Sequence, residues 1–530
     1  MDLAELIAAL SEPAAYPFAV DAVDVRQTHI SAVFLAGDVV YKLKKPVNLG
    51  FLDFSTLDKR RHFCAEEVRL NRRLAPAVYL SVVPLVLGAD GHIRVEGEGE
   101  VTEWAVKMQR LPDGASLLSR LERDELAPEL LAALAERLAS FHRGAEGGPH
   151  VAESGRFAVV AHNARENFAQ SEAQVGVTVS RAVFDRVRSL TDAALAKLRP
   201  LIEARAARGV PRDTHGDLHL DHVYYFPERP PPDDLIAIDC IEFSERFRHA
   251  DPIADAAFLA MDLAFRGRRD LADVFVTRYL HSSRDEEGEP LFPFYIAYRA
   301  AVRAKVGGIK STEHEIPETE RAVARVQARA HWLLALGALE QPDHRPGLVL
   351  VAGLPGTGKS TLARELTERA NFTVIRSDTV RKELAGLAPN TGARGAPDEG
   401  LYSPEWTERT YTECLRRAEA ILAAGGRAIV DANFGNEGRR RAFLDGANRL
   451  AVPVVFLWCR ASPEMAKRRI TERRGDVSDA TPEIYDRAAD NWQPFGPGTR
   501  RSVRAVNADG IPEATLAQSL DGLREAQLRE

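Results

Sequence analysis

The stretch Gly353-Leu-Pro-Gly-Thr-Gly-Lys359-Ser360 is the feature that most restricts how this chain can fold. It fits the pattern G-x-x-x-x-G-K-[ST], follows an apolar run at Leu348–Ala352 and precedes a helical pattern at Thr361–Arg369. A glycine-rich turn between a strand and a helix lets backbone N–H groups surround phosphates at the positive end of the helix. The lysine then reaches the β- and γ-phosphates, and the serine hydroxyl can bind Mg²⁺. The sequence therefore predicts an ATP site with a Walker A loop formed by Gly353, Leu354, Pro355, Gly356, Thr357, Gly358, Lys359, Ser360 and Thr361.

The composition indicates what kind of protein carries this loop. Of 530 residues, 45% are hydrophobic and 28% are charged, as in globular proteins, and the net charge of -7 does not fit a dedicated nucleic-acid binder. No run approaches the ~18 apolar residues of a membrane helix, and the acidic N-terminus does not resemble a secretory signal. The four cysteines are far apart and show no CxxC spacing. We therefore expect a cytoplasmic protein with no membrane partner, no disulfide scaffold and no zinc ribbon.

A seam at Gln341–Gly347, with two prolines and a glycine, divides the chain. Before it, short β-like runs and one helix lead into a mostly helical region, interrupted by a β-rich segment at Asp217–Phe243. After it, apolar strand-like runs alternate with helical segments, which predicts an α/β domain with a parallel sheet. The predicted domains are 1–112 and 113–340 (two lobes of one fold), 341–347 (linker), 348–511 (P-loop domain) and 512–530 (C-terminal helix).

The residues that follow the Walker A loop resemble those of small P-loop kinases, such as zeta toxins, chloramphenicol phosphotransferases and polynucleotide 5′-kinases. The second strand runs into Arg376-Ser-Asp378-Thr-Val-Arg381, and a later apolar strand ends at Asp431. In those families an Asp just past the second strand accepts the proton of the attacking hydroxyl, and a nearby Arg holds an anionic part of the substrate. The resemblance implies Asp378 as general base and Arg381 as substrate clamp. The strand that ends at Asp431 fits a Walker B strand, in which the Asp orders Mg²⁺ through water or positions substrate.

Two of these assignments have simpler alternatives. Asp378 could merely cap the helix that follows it, since Asp is a good N-cap. The segment Pro463–Asp479 resembles the arginine-bearing lid helix of the same kinases, which implies that Arg469 and Arg473 close over ATP. Arginines four apart lie on one helix face, but such a face is often simply solvated.

The first part of the chain resembles aminoglycoside phosphotransferase and choline-kinase-like enzymes, which share the protein-kinase architecture. Three segments carry the resemblance: His215-Gly-Asp217, then Ile236-Ala-Ile-Asp239, then Asp251-Pro-Ile-Ala-Asp255. The chemistry needs this order, with one Asp near the acceptor hydroxyl and a second Asp, one hairpin away, on Mg²⁺. The resemblance implies Asp217 as catalytic base and Asp239 as metal ligand. The expected fold is an α+β, protein-kinase-like bilobal unit followed by the α/β P-loop domain.

Upstream residues agree with this resemblance. Lys42 can hold the α- and β-phosphates, and strand alternation puts Lys44 on the same face. Lysine is scarce here, with 11 of 70 basic residues, although a surface strand rich in lysine remains an alternative. Glu67 suits the acid that fixes the lysine, with Glu66 one register away. The run that contains Met108 resembles the strand that leads to the hinge, where backbone groups meet adenine.

One position departs from the family pattern. Five residues after Asp217, where the family has a metal-binding Asn, this chain has His222. Mg²⁺ prefers oxygen ligands, so Asp221 or a water would have to complete the shell, or Mn²⁺ would replace Mg²⁺ at this site. The alternative is a kinase fold that has lost activity and is retained for binding.

Taken together, the sequence predicts a bifunctional ATP-dependent phosphotransferase, an alcohol-group kinase with two Mg²⁺-dependent sites. Small hydroxylated metabolites are the expected acceptors, while a nucleic-acid 5′-hydroxyl is possible at the second site but is not favoured. Two alternatives stay open: a regulatory pseudokinase that gates the P-loop domain, and a P-loop NTPase switch. The base-like Asp378 favours a kinase over a switch, since a switch needs no acceptor base.

Overall fold

The computed structural model describes residues 2–50, 52–388, 400–472 and 480–530. The chain forms two compact units that do not follow its linear order. Unit 1 consists of Met1–His162, Leu198–Leu263 and Arg269–Tyr295, and unit 2 of Asn163–Lys197, Ala264–Arg268 and Ile296–Glu530. The domain limits expected from the sequence stay a prediction.

Unit 1 begins with an antiparallel sheet covered by one helix. The described strands are β1 (Val23–Gln27), β2 (Ser31–Ala36), β3 (Val39–Lys44), β4 (Tyr79–Leu87), β5 (Ile93–Val95) and β6 (Glu100–Gln109), in the order β1-β2-β3-β6-β4-β5. Helix α1 spans Leu3–Leu10, and helix α2 (Leu57–Asn71) packs against β4 and β6. Thr56 begins α2, because its side chain accepts a hydrogen bond from the backbone N–H of Lys59 at 3.3 Å. Helix α2 thereby places acidic side chains beside β3.

A helical region with short strand pairs follows the sheet. Strands β7 (Arg212–Asp213) and β10 (His249–Ala250) pair with each other, as do β8 (Val223–Tyr225) and β9 (Leu235–Ala237). This second hairpin carries the proline-rich loop expected near residue 230. The helices are α3 (Leu117–Glu122), α4 (Pro128–Gly144), α5 (Pro149–Ser154), α6 (Phe157–Ser171), α7 (Arg181–Ala207), α8 (Glu245–Arg248), α9 (Pro252–Phe265), α10 (Arg269–Ser283), α11 (Phe292–Lys310) and α12 (Glu318–Leu339).

The part of unit 2 beyond the seam is built on a sheet whose described strands are all parallel. These are β11 (Gly347–Ala352), β12 (Thr373–Arg376), β13 (Arg427–Asp431), β14 (Val454–Arg460) and β15 (Val503–Asn507), in the order β12-β13-β11-β14-β15. Strand β11 is buried along its whole length, as expected for a central strand. The helices are α13 (Lys359–Ala370), α14 (Ser377–Leu384), α15 (Pro404–Ala423), α16 (Glu437–Arg449), α17 (Pro463–Glu472), α18 (Pro482–Asp490), α19 (Pro497–Ser502) and α20 (Pro512–Glu525).

This architecture confirms the predicted fold class, a mixed unit with an antiparallel sheet followed by an α/β P-loop domain. Two details differ from the sequence patterns. The apolar pattern of the sequence predicts a helix around Phe63–Leu74, but α2 begins at Leu57, because its polar first turn shows no apolar periodicity. Strand β15 was not predicted, since Val503-Arg-Ala-Val-Asn507 is short and interrupted by an arginine. Within the described ranges, no helix is both long and apolar enough to cross a membrane.

Candidate active sites

The phosphate-binding loop of unit 2 has a backbone that only glycine can form. Gly353, Gly356 and Gly358 have φ values of 144°, 77° and 87°, in the left-handed region that side chains disfavour. A Cβ atom on Gly353 would lie 2.5 Å from the carbonyl oxygen of Cys459, and one on Gly356 would lie 2.3 Å from that of Ala466. The loop between β11 and α13 is therefore lined by bare backbone, which suits a cradle for phosphate oxygens.

Lys359, Ser360 and Asp431 meet beside this loop. The Lys359 ammonium donates a hydrogen bond to the carbonyl oxygen of Leu354 at 2.8 Å, across the loop. Asp431, at the end of β13, is buried next to β11 and forms a hydrogen bond with the side chain of Ser360. Burial raises the pKa of Asp431, while Lys359 and Ser360 oppose the rise. The sequence-predicted hydroxyl and carboxylate thus lie together where a phosphate-bound cation would need them.

Asp378 lies in the first turn of α14, directly after β12. The N-cap of this helix is Arg376, and no side-chain capping bond is formed there. The alternative that Asp378 serves as the helix cap is therefore not what the structure contains. The Asp378 charge acts to raise the pKa of Asp431, so the two carboxylates are electrostatic neighbours at the carboxyl edge of the sheet.

Arg381 faces into the protein rather than into an open cleft. Its guanidinium donates to the carbonyl oxygen of Leu401 at 2.6 Å and to Oγ1 of Thr407 at 3.3 Å. It also stacks over the ring of Tyr402, with 4.9 Å between the guanidinium carbon and the ring centre. The side chain is buried. A role as an anion clamp stays a prediction, and it would require Arg381 to exchange some of these partners for substrate.

Helix α17 lies against the phosphate loop, as a lid helix would. Its residues Ala466 and Ile470 pack with Leu354 and Tyr485. Nη1 of Arg469 lies 3.9 Å from where a Cβ atom of Gly358 would be. Arg473, the other expected lid arginine, lies outside the described residues. The structure thus brings Arg469 to the loop, while its role at the nucleotide stays a prediction.

The candidate site of unit 1 centres on two lysines and three carboxylates. Nζ of Lys42 lies 2.9 Å from Oε1 of Glu67 and 2.6 Å from Oδ1 of Asp239. Lys44, on the same face of β3, pairs with Oε2 of Glu67 at 2.7 Å and with Glu242. Glu67 is fully buried and bridges both ammonium groups. Strand alternation therefore predicted the lysine pair correctly, and the alternative Glu66 instead pairs with Arg69 on the helix surface.

Electrostatics favour the charged forms of Lys42 and Asp239, whereas burial raises the pKa of Glu242. Burial alone would lower the pKa of Lys42, but Asp239 and Glu67 keep it well above its ordinary value. Burial raises the pKa of Asp239, and the attraction of Lys42 and His222 outweighs this and lowers it. Asp239 has a φ of 63°, and its backbone N–H donates to the hydroxyl of Tyr79 at 3.0 Å. A left-handed aspartate held by a buried tyrosine is typical of a functional site.

Asp255 anchors the loop that carries Asp217. The buried Asp255 carboxylate accepts the backbone N–H groups of His215 and Gly216 at 3.0 and 2.9 Å, and contacts Nε2 of His142 at 3.1 Å. The Asp217 side chain is only partly buried. The second Asp of the D-P-x-x-D segment thus fixes the backbone beside the expected base.

Two imidazoles adjoin Asp217. His222 Nδ1 hydrogen-bonds with the carbonyl oxygen of Asp217 at 2.9 Å, and its Nε2 lies 3.6 Å from Oδ2 of Asp239. His219 stacks against His222 with 3.7 Å between ring centres, and its Nε2 lies 3.6 Å from Oδ2 of Asp217. Burial, followed by the neighbouring His219, lowers the pKa of His222. His222 thus lies between the two aspartates, and burial favours the neutral form of its imidazole.

The remaining predicted residues differ in their surroundings. Met108 is buried on β6, between its partners Val40 on β3 and Tyr79 on β4. Asp221 is exposed on the turn before β8, so its place at a metal stays a prediction. Sequence reasoning did not single out Glu242 and His219. Both follow a recognised Asp by two or three residues, and that spacing was the signal available.

His215 provides a test of how firmly the Asp217 loop is buried. Burial lowers its pKa from 6.5 to about 4. Because the unfolded chain then binds more protons, the free energy of unfolding is expected to fall as pH drops from about 6.5 to about 4. The loss should reach about 3 kcal/mol. Urea unfolding of wild type and His215→Gln at several pH values measures this, and a His215 NMR signal that titrates near pH 6.5 would contradict it.

Known proteins resemble parts of this chain in sequence or in structure. Residues 348–495 match the AAA domain family, which confirms the predicted P-loop ATP-binding domain. In the solved structure of the amicoumacin kinase hAmiN, 93% of the chain aligns with 63% of this one, at 14% identity and a TM-score of 0.37. A gluconokinase from Sinorhizobium meliloti 1021 aligns over 93% of its chain and 34% of this one, at 17% identity and a TM-score of 0.25.

One sequence match extends over most of the chain. The uncharacterized protein Rv2004c of Mycobacterium tuberculosis is 37% identical over 508 residues, which cover 95% of this chain and 96% of the relative. At this coverage the match extends into both units. On this similarity, the chain belongs to the same protein family as Rv2004c.

Proposed function

We propose that the protein is a bifunctional ATP-dependent phosphotransferase with one site in each unit. One observation supports the proposal. At two separate places, a lysine that is suited to bind phosphate lies beside a carboxylate. In unit 1, Lys42 contacts Glu67 and Asp239. In unit 2, Lys359 closes the glycine loop beside Ser360 and Asp431. Each place also has a further aspartate, Asp217 or Asp378, that suits the role of acceptor base.

In the first site, different side chains of the protein have different roles. Glu67 holds Lys42 and Lys44 as charged donors toward the α- and β-phosphates. Asp217 accepts the proton of the acceptor hydroxyl as that oxygen approaches the γ-phosphate. Asp255 keeps Asp217 in place by accepting two backbone N–H groups of its loop. Preorganised donors and a fixed base lower the barrier because no reorganisation is needed during the reaction.

In the second site, the backbone N–H groups of the glycine loop surround the β-phosphate and Lys359 reaches the γ-phosphate. For this, Lys359 exchanges its hydrogen bond with Leu354 for phosphate oxygens. Asp378 removes the proton of the acceptor hydroxyl, and Arg469 stabilises the charge on the transferred group. The position of Arg469 beside Gly358 supports this role.

The donors at the two sites fit different cations. In the second site, the Ser360 hydroxyl and the Asp431 carboxylate would hold Mg²⁺, which prefers oxygen. In the first site, Asp239 and Asp217 adjoin two imidazoles, and the ligand atoms of Asp217, His219 and His222 lie within 4.8 Å of one another. Imidazole suits Mn²⁺ better than Mg²⁺. When bound, the cation neutralises charge on the phosphate oxygens. We therefore propose Mg²⁺ at the second site and a preference for Mn²⁺ at the first.

The acceptors we propose are small hydroxylated metabolites at both sites, with a nucleic-acid 5′-hydroxyl less favoured at the second. Incubation of the protein with γ-labelled ATP and a pool of such metabolites tests this directly. Labelled products that disappear in Asp217→Ala belong to the first site, and those that disappear in Lys359→Ala belong to the second. The absence of any labelled product with either cation would count against the proposal.

A regulatory role for unit 1 is the second candidate, and His222 is the observation that favours it. A neutral imidazole stands where the related kinases have an oxygen ligand, and its ring already contacts the backbone of Asp217. In that case unit 1 would bind nucleotide without turnover and would regulate the P-loop site. The metal dependence of turnover at the first site helps to separate the two candidates.

The metal preference of the first site is therefore a decisive prediction. We expect Mn²⁺ to support turnover at lower concentration than Mg²⁺ in the wild type. His222→Asn should reduce that difference, because the amide supplies an oxygen ligand. Asp239→Asn should eliminate turnover with either cation. The measurement is a titration of each cation against nucleotide binding and turnover, made in Lys359→Ala so that the second site does not contribute.

Asp221→Asn is the matched control, since it changes a nearby but exposed carboxylate. If Asp221→Asn has the same metal requirement as the Lys359→Ala protein in which it is made, Asp221 is not a metal ligand. If the metal requirement increases, Asp221 is a metal ligand. Tight ATP binding that needs no metal, shows no turnover and is unaltered by His222→Asn would support the regulatory candidate instead.

A further inference from the structure

Unit 1 contains a second cluster of side chains that commonly bind metal ions, and the proposed phosphotransfer does not use it. The ligand atoms of His150, Glu245 and His249 all lie within 4.8 Å of one another. The three residues come from three separate elements: His150 from α5, Glu245 from the start of α8, and His249 from β10. We propose that these three side chains form a zinc site that ties α5 to the α8–β10 segment.

The chemistry of the set fits Zn²⁺ rather than Mg²⁺. Two imidazole nitrogens and one carboxylate oxygen are a common zinc ligand set, with bond lengths of about 2.0–2.2 Å and a fourth position left for water. Magnesium would require mainly oxygen ligands. Ligand atoms around a tetrahedral zinc are about 3.4 Å apart on those bond lengths, so the cluster needs only a modest contraction from its present spacing.

The three side chains can make that contraction. His249 is 4% exposed and is held by its strand, so it forms the fixed point of the cluster. His150 and Glu245 are both exposed and can rotate toward it. The rings of His150 and His249 already meet edge to face, with 5.0 Å between their centres. Such an arrangement leaves nitrogen atoms of both rings near the Glu245 carboxylate.

The charges that act on His249 include one cation, Arg248, which disfavours a bound metal ion, and two carboxylates, Asp213 and Glu245, which favour it. The buried guanidinium of Arg248, adjacent to His249, is paired with the carboxylate of Asp213. Asp213 therefore offsets the charge of Arg248, and Glu245 supplies a negative charge to the cluster. Two neutral imidazoles and one carboxylate have a net charge of about -1, which attracts a divalent cation.

The proposed zinc site is connected through β10 and β7 to the loop that carries Asp217, in the candidate active site of unit 1. His249 pairs with Asp213 across the β7–β10 ladder. The carbonyl oxygen of Arg248 accepts hydrogen bonds from the N–H and hydroxyl of Thr214, at 3.0 and 2.7 Å. Thr214 directly precedes His215 and the Asp217 loop. A metal at the cluster would thus brace the strand pair from which the Asp217 loop begins, and the unit would be more stable with the ion bound.

The experiment measures retained zinc in the full-length protein. Wild type, His150→Ala and Glu245→Gln are stripped with a chelator, exchanged into Zn²⁺ and separated from free ion by gel filtration. His92→Ala is the matched control, because it removes an exposed histidine from a hairpin turn in the same unit. His222→Asn is included, since the Asp217–His219–His222 group can also take Zn²⁺. Both ligand substitutions are at exposed positions, which protects the fold.

We expect wild type, His92→Ala and His222→Asn each to retain one equivalent of zinc that His150→Ala and Glu245→Gln both lack. The same zinc should raise the unfolding temperature of the wild type but not that of His150→Ala. Equal zinc content in wild type, His150→Ala and Glu245→Gln would overturn the proposal. So would the loss of all bound zinc in His222→Asn, because the ion would then belong to the first kinase-type site.

Discussion

Lys359→Ala is expected to lower phosphoryl transfer at the P-loop site by about 10²–10³-fold, the usual cost of removing a preorganised donor to the transition state. Asp217→Ala should lower transfer at the first site by about 10²–10⁴-fold, as expected for the loss of a general base. Each substitution should leave nucleotide binding in the other unit unchanged, because each unit has its own lysine and carboxylates. Equilibrium binding and turnover with labelled ATP, measured for both variants, check this.

Arg364→Ala is the control for the first of these variants, since it removes an exposed cation from the same helix α13. It should retain activity at both sites. If Lys359→Ala or Asp217→Ala alone silenced all nucleotide binding and turnover, two independent sites would be untenable. A regulatory unit 1 would instead show transfer that depends entirely on Lys359.

Asp378→Asn is expected to lower transfer at the P-loop site by about 10²–10⁴-fold while ATP affinity changes little. The amide keeps the shape of the carboxylate but cannot accept the proton of the acceptor hydroxyl. Because Asp378 makes no capping bond in α14, the substitution should not destabilise that helix through a lost cap. Single-turnover kinetics and ATP binding, measured side by side, separate the chemical step from binding.

Glu383→Gln on the same helix is the control for this prediction. It removes a carboxylate that pairs with Arg417 away from the phosphate loop. We expect it to leave the transfer rate unchanged. Normal turnover in Asp378→Asn would remove that residue from the mechanism, and the P-loop domain would then resemble an NTPase switch more than a kinase.

The candidate site residues could be proposed from sequence because their order along the chain is itself restrictive. A glycine loop between a buried strand and a helix can hardly serve another purpose, and the structure has the required backbone at Gly353, Gly356 and Gly358. Likewise, alternation along β3 put Lys42 and Lys44 on one face, and both contact Glu67. Local periodicity and motif spacing carry this information without knowledge of distant contacts.

Other features depended on contacts between residues far apart in sequence, and these the sequence did not reveal. Glu242 joins the lysine cluster only because the segment after β9 folds back beside β3. Arg381 has the right spacing for a substrate clamp, but packing against Leu401 and Tyr402 buries it. The approach of His150 to His249 likewise requires α5 and β10 to meet.

The sequence by itself thus determined the two candidate nucleotide-binding motifs, the fold class of the region around each of them, and the departure at His222. The tertiary structure alone decided which carboxylate pairs with which lysine, which arginines are buried, and which elements group into each compact unit. The physical reason is that motif spacing and strand alternation act within a few residues. Burial and ion pairing instead depend on which distant segments come together, and that is settled only when the whole chain packs.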